Sequence, residues 1–187
     1  AGRPVPFHAT PVASGITELD NLLVGGPLRG TSTLVTGPAG SGKTTIALAY
    51  LAAACARGEN CTIYEFDERI ATLLSRGDSM GMNLSHHVSS GRLVIQQIDP
   101  AEISPGEFAW RVRNEVEERA STMIVVDSLN GYIAAMPQEQ QLILQMHELL
   151  SYLSQLGVVT FLINPQHGLV GSMSTNLNIS YVADSVI

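Results

Sequence analysis

Apolar residues in this chain fall into two alternating patterns. Short, nearly unbroken apolar runs predict strands at Thr31 to Thr36, Cys61 to Phe66, Arg92 to Gln96, Thr122 to Asp127 and Val158 to Ile163. A last strand-like run covers Val182 to Ile187. Between them lie stretches with helical features. Thr44 to Arg57 is Ala-rich and closed by Gly58, and Glu68 to Met80 ends near Gly81. Ser104-Pro105-Gly106-Glu107 has the form of a capping box with proline at the first helical position. Phe108, Val112 and Val116 then recur on one helix face. Gln138 to Leu156 carries Leu142, Met146, Leu149, Leu150 and Leu153 on one side. The run at Thr122 to Asp127 is apolar on both faces, as in a strand covered above and below. Strand–helix alternation of this kind predicts an α/β fold: a mostly parallel central sheet with helices on both faces. Ligands of such sheets bind beyond the carboxyl ends of the strands.

Residues 1–13, with Pro4, Pro6 and Pro11, read as a linker or lead-in, and 14–187 as one domain. The strand-like end at Ile187 predicts a domain cut short at its C-terminus.

Composition narrows the classes of function. The chain has 187 residues, 45% hydrophobic and only 14% charged. A filled α/β core accounts for that, and so do faces buried between subunits. The net charge is −7 and the pI near 5.1. The nine Arg are scattered, so no basic stripe for nucleic acid is visible, and a nucleic-acid partner is not expected. Cys55 and Cys61 stand without a CxxC or Cys/His cluster, which argues for free buried thiols and against zinc. His86, His87 and His167 fall in loop-like stretches and read as solvated, with no metal role. There is no signal peptide and no apolar run of about 18 residues, so a cytoplasmic protein is expected.

The chemistry is concentrated at Gly37-Pro38-Ala39-Gly40-Ser41-Gly42-Lys43-Thr44, followed by Thr45. This matches GxxxxGK[ST], ending a strand and opening a helix. Glycines let the backbone curl so that several N–H groups face one anion, and the helix adds its positive end. Lys43, the sole lysine of the chain, would reach the β- and γ-phosphates of ATP, and Thr44 would ligate Mg²⁺. Asp127, at the end of an apolar strand, is the second magnesium ligand such a site needs, with Ser128 in support. Asp67 and Glu68 end the second strand, expected beside the P-loop strand. One of them can orient the attacking water; equally, Asp67 can cap the next helix with Glu68 in its first turn. Asn164 can sense the γ-phosphate or cap a turn before Pro165.

At this point the residues resemble a family. Ser14-Gly15-Ile16-Thr17-Glu18-Leu19-Asp20-Asn21-Leu22-Leu23, then Gly25-Gly26-Pro27-Leu28-Arg29-Gly30, is similar to the lead-in of the KaiC-like branch of RecA-fold ATPases. Tyr64 to Glu68 resembles that family's strand ending in paired acids. Ile124 to Leu129 resembles its second magnesium motif, and Ile179 to Ile187 its late segment. The resemblance implies a RecA-like P-loop ATPase assembling as a ring, usually a hexamer, with ATP at subunit boundaries. It implies that Asp67 and Glu68 carry the catalytic base, although the family usually has Glu at both places. It also implies a signalling or clock-type role with a signalling protein as partner. The clock member phosphorylates itself on a Ser-Thr pair matching Ser180 and Tyr181, with Thr175 matching a nearby Thr. Tyr181 departs from that pattern and weakens the transfer of autokinase activity. Basic residues that act across the family's subunit interface would lie after Ile187. The competing readings are a DNA-dependent recombinase or helicase ATPase, a nucleotide-gated assembly module with marginal catalysis, and a small-molecule kinase, of whose lid and acceptor pocket the sequence carries no mark.

Overall fold

The computed structural model describes residues 8–134, 139–166 and 183–187. In chain order the elements are α1 (Thr17–Leu22), β1 (Ser32–Pro38), α2 (Lys43–Ala56), β2 (Asn60–Glu65), α3 (Ile70–Ser79), α4 (Leu84–Ser89) and β3 (Leu93–Gln97). Then follow α5 (Pro105–Arg119), β4 (Ser121–Asp127), α6 (Leu129–Ala134), α7 (Glu139–Gln155), β5 (Val159–Gln166) and β6 (Ser185–Val186). The six strands form one sheet in the order β3-β2-β4-β5-β1-β6, and every pairing among them is parallel.

Alternation along the strands divides the core in two. On β4, Met123 and Val125 join Ile63, Phe161 and the α2 residues Leu48, Tyr50 and Leu51 on one face. Ile124 and Val126 point the other way, into Phe108 and Val112 of α5 and Leu149 and Leu153 of α7. A residue period of two in a strand sends neighbours to opposite faces, so an unbroken apolar run serves both. Helix α2 buries Ala47, Leu48, Ala49, Tyr50, Leu51 and Ala54. Its alanines carry high helix propensity and let the axis lie close to the sheet.

The predicted capping box is half formed. Ser104 Oγ accepts from Glu107 N at 3.2 Å, but the Glu107 carboxylate pairs with Arg111 at 2.7 Å. Cys55 and Cys61 are both buried and free, as expected.

Several expectations change. Strand β2 does not lie beside the P-loop strand: it pairs with β3 and β4, while β1 pairs with β5 and β6. The crossover through α2 carries the chain past two positions that β4 and β5 later fill. Helix α3 begins at Ile70 with Arg69 at its N-cap and no side-chain cap, so neither Asp67 nor Glu68 caps it. Strand β5 runs through Asn164 and Pro165 to Gln166, which removes the turn that Asn164 was to cap. Pro165 lies opposite Gly37 in that ladder. His86 and His87 sit on α4, a short helix where a loop was expected. Helix α1 also escaped the pattern, because it buries none of its residues and so shows no apolar period. Its start is held instead by Asp20, whose carboxylate accepts the Ser14 N–H at 2.7 Å.

Ahead of the first helix, Val12 is buried and its N–H donates to Pro27 O at 2.8 Å. No helix among the described residues is long and apolar enough to cross a membrane.

Candidate functional site

Strand β1 delivers the chain to Gly37 and Pro38, and α2 leaves again from Lys43. The residue between loop and helix, Gly42, has φ 89°, a left-handed conformation that a side chain would strain. At Gly37 the reason is space as well: a Cβ there would lie 2.9 Å from Ser41 Oγ. Lys43 is buried and curls back over the loop, its Nζ donating to Pro38 O at 2.6 Å. Ser41 Oγ lies 3.5 Å from the same nitrogen. Thr45 lies two residues beyond Lys43 on α2, half-buried.

Thr44 and Asp127 meet. Thr44 Oγ1 donates to Asp127 Oδ2 at 2.6 Å, joining the start of α2 to the end of β4. Asp127 is only 8% exposed. Burial pushes its carboxyl above the usual range, the Thr44 hydroxyl pulls it back, and the nearby Asp67 adds a further upward push.

The paired acids part company. Ser128 Oγ donates to Asp67 Oδ2 at 2.5 Å, so Asp67 is tied to the residue after Asp127. Glu68 turns to Arg76 of α3, with Oε2 and Nη2 2.8 Å apart. Gly131 on α6 packs against this turn. A Cβ added there would lie 2.6 Å from Phe66 Cβ and 3.3 Å from Asp67 Oδ1.

Glu65, inside the stretch Tyr64 to Glu68, has a larger part by its position. It is 1% exposed, the last residue of β2, opposite Asp127 in the ladder. Its Oε1 accepts from Asp67 N at 3.3 Å and from Glu68 N at 2.9 Å. Its Oε2 is buried without a hydrogen-bond partner. Burial, and then the charge of Asp127, pushes this carboxyl up to about 8. The signal was available: two-residue alternation puts Glu65 on the face of Cys61 and Ile63, where an acid stands out.

Asn164 lies opposite Thr36, one residue before the P-loop glycine, and is half-buried. Asn130 Nδ2 donates to Pro165 O at 3.0 Å, tying α6 to the same end of β5. The carboxyl ends of β1, β4 and β5 are therefore neighbours, with the turn after β2 reaching in through Asp67. Ser180, Thr175 and Tyr181 lie outside the described residues, as does His167.

The donor set suits a hard divalent cation: a hydroxyl and a carboxylate whose oxygens already touch. The loop suits a phosphate. Cβ atoms placed on Gly40 or Gly42 would meet nothing within 4 Å, so the space in front of these glycines is open. The residues present therefore fit Mg²⁺ beside a nucleotide phosphate.

The comparisons with known proteins agree with this geometry. The chain is 29% identical over 177 residues to the circadian clock protein KaiC2 of Synechocystis sp., covering 93% of this chain and 31% of that relative. It is 27% identical over 179 residues to the circadian clock oscillator protein KaiC of Parathermosynechococcus lividus, covering 94% and 32%. To the oscillator protein KaiC of Synechococcus elongatus it is 25% identical over 179 residues, covering 94% and 34%. The chain thus spans about a third of the length of the relatives it matches. The family model for the KaiC ATPase matches residues 12–187. With that match, a parallel sheet of RecA-like form and a P-loop joined to the end of β4, the chain belongs to the KaiC ATPase family.

Proposed function

We propose that this chain binds ATP with Mg²⁺ and hydrolyses it, as one unit of a ring-forming assembly with a signalling or clock-type role. The observation that carries the reading is the 2.6 Å bond between Thr44 Oγ1 and Asp127 Oδ2. It joins the phosphate loop and the strand-end acid into one oxygen-donor set. Bound there, Mg²⁺ would neutralise phosphate charge and polarise the γ-phosphoryl group.

The chain's own residues would do the rest. Backbone N–H groups of Gly40 to Thr44 would hold the phosphates at the start of α2. Lys43 would leave Pro38 O and place its charge on the β- and γ-phosphates. Asp67, held beside Asp127 through Ser128, would accept the proton of the attacking water. Glu68 is the second candidate for that base and is occupied by Arg76. Asn164 would report the γ-phosphate to β5. An assembly would place a cation from a neighbouring subunit at the same phosphate, a contribution that can supply several orders of magnitude in rate. Ser180 and Thr175 would be the acceptors of any autophosphorylation.

Incubation with γ-labelled ATP and Mg²⁺, followed by separating free phosphate from protein, tests the reading. Release of phosphate that disappears in Lys43→Ala supports it, and label on the protein would add the autokinase. Absence of nucleotide binding overturns it. Tight, salt-sensitive DNA binding with DNA-stimulated hydrolysis would replace it with the recombinase reading. ATP-dependent assembly without turnover would leave a nucleotide-gated assembly module.

A further inference from the structure

We propose that Glu65 is a positioning residue of the hydrolytic half of the site: its buried carboxyl fixes the turn from which Asp67 and Glu68 project. The inference rests on the ATPase reading above and assigns a role to a buried residue that acts through the turn beside it.

The backbone on either side of the turn is secured by the sheet. Phe66 N donates to Asp127 O at 2.7 Å, and Ile98 N donates to Glu65 O at 2.8 Å. Beyond Phe66 the ladder ends, and α3 does not start until Ile70. In the gap, the N–H groups of Asp67 and Glu68 both turn back to one oxygen, Glu65 Oε1. No side chain caps α3. The Glu68 carbonyl accepts from Gln97 Nε2 at 3.3 Å, while both N–H groups of the turn depend on a single acceptor. That acceptor is shielded from water, and its partner oxygen, Oε2, makes no competing hydrogen bond. From the other side, α6 closes on the turn so tightly that Gly131 has no room for a Cβ. The turn is clamped between an inward-facing carboxyl and a helix. One acid then meets Ser128 and the other meets Arg76.

A simple turn cap and a positioning residue predict different kinetics. Glu65→Gln keeps a carbonyl oxygen at the same reach. Glu65→Asp is one methylene shorter and cannot serve both N–H groups. Glu65→Leu removes the acceptor. If the turn sets the water-activating geometry, misplacement of about 1 Å costs on the order of 100-fold in turnover. We expect kcat to fall steeply in Glu65→Asp and Glu65→Leu, with ATP affinity and KM little changed, and to be restored in Glu65→Gln. Should Glu65→Leu not fold, Glu65→Asp carries the test alone. Unchanged kcat in Glu65→Asp overturns the proposal. So does Glu65→Gln as impaired as Glu65→Asp, or a parallel loss of ATP affinity and kcat. Amide hydrogen exchange at Asp67 and Glu68 supplies a readout without hydrolysis. Protection in the parent and Glu65→Gln, lost in Glu65→Asp, supports the proposal even if the parent proves inactive, and the fault then lies in the ATPase reading. Equal protection in all variants overturns it.

Discussion

The two halves of the proposed site are built in opposite ways. The phosphate half is one continuous segment, Gly37 to Thr44, whose lysine folds back on a residue five positions earlier. The acid half is assembled from distant pieces: Thr44 meets Asp127 across 83 positions, and Ser128 meets Asp67 across 61. Local backbone geometry makes the first half, and strand register makes the second. A loop whose working atoms are its own N–H groups carries its instructions in its glycines. A carboxylate cluster has no such autonomy, because its members arrive from the ends of two strands, β2 and β4.

The largest loss is expected at Lys43. Lys43→Ala removes the one side-chain cation of the phosphate half, and turnover is expected to drop about 100- to 1,000-fold. Phosphate release at saturating Mg-ATP measures it. An effect confined to KM would mean that the lysine binds ground state and transition state alike.

The next test separates the acids. Asp67→Asn removes the carboxylate tied to Ser128, and a lost general base costs about 100-fold or more in kcat. Glu68→Gln, which removes the partner of Arg76, is expected to cost much less. Equal losses in the two variants would show that the apparent division of labour disappears once nucleotide binds.

Stability against pH sharpens the contrast from another side. The Glu65 carboxyl is pushed from 4.5 up to about 8 in the folded chain. Between those values the folded chain keeps a proton that the unfolded chain has released. Metal-free stability from this group is therefore full below about pH 4.5 and declines as pH rises toward 8. Glu65→Gln should flatten that decline in denaturant titrations taken across the window.

The smallest effect is expected at Arg76. Its pair with Glu68 is partly exposed, with side chains 35% and 25% accessible, so Arg76→Gln should cost less than about 1 kcal/mol. Turnover should rise modestly if the freed Glu68 joins in water activation. Thermal melting and kcat together check both.

How much of this was legible in the sequence follows the same division. The strands at Thr31, Cys61, Arg92, Thr122 and Val158 all form, because an apolar run covered on both faces announces itself without its partners. Helices α1, α4 and α6 form as well but were not legible, the first because it buries none of its residues. Asp127 could be named from its place at the end of an apolar strand. The neighbour of β2 could not, because strand order depends on which crossover fills which slot. Glu65 was visible as a letter and silent as a function, since its two acceptor contacts exist only once the turn closes.

The sequence by itself determined the parallel α/β form, the family, and the phosphate loop with its lysine and threonine. The first follows from periodicity, the family from its motif resemblances, and the loop from glycines that dictate their own backbone. Tertiary structure alone decided that Thr44 touches Asp127, that Asp67 and Glu68 face different partners, and that a buried Glu65 holds both. The physical reason is register: Glu65 faces Asp127 in the β2–β4 ladder, and a shift of one residue there would turn Glu65 to the other face of the sheet and take the turn of Asp67 and Glu68 with it.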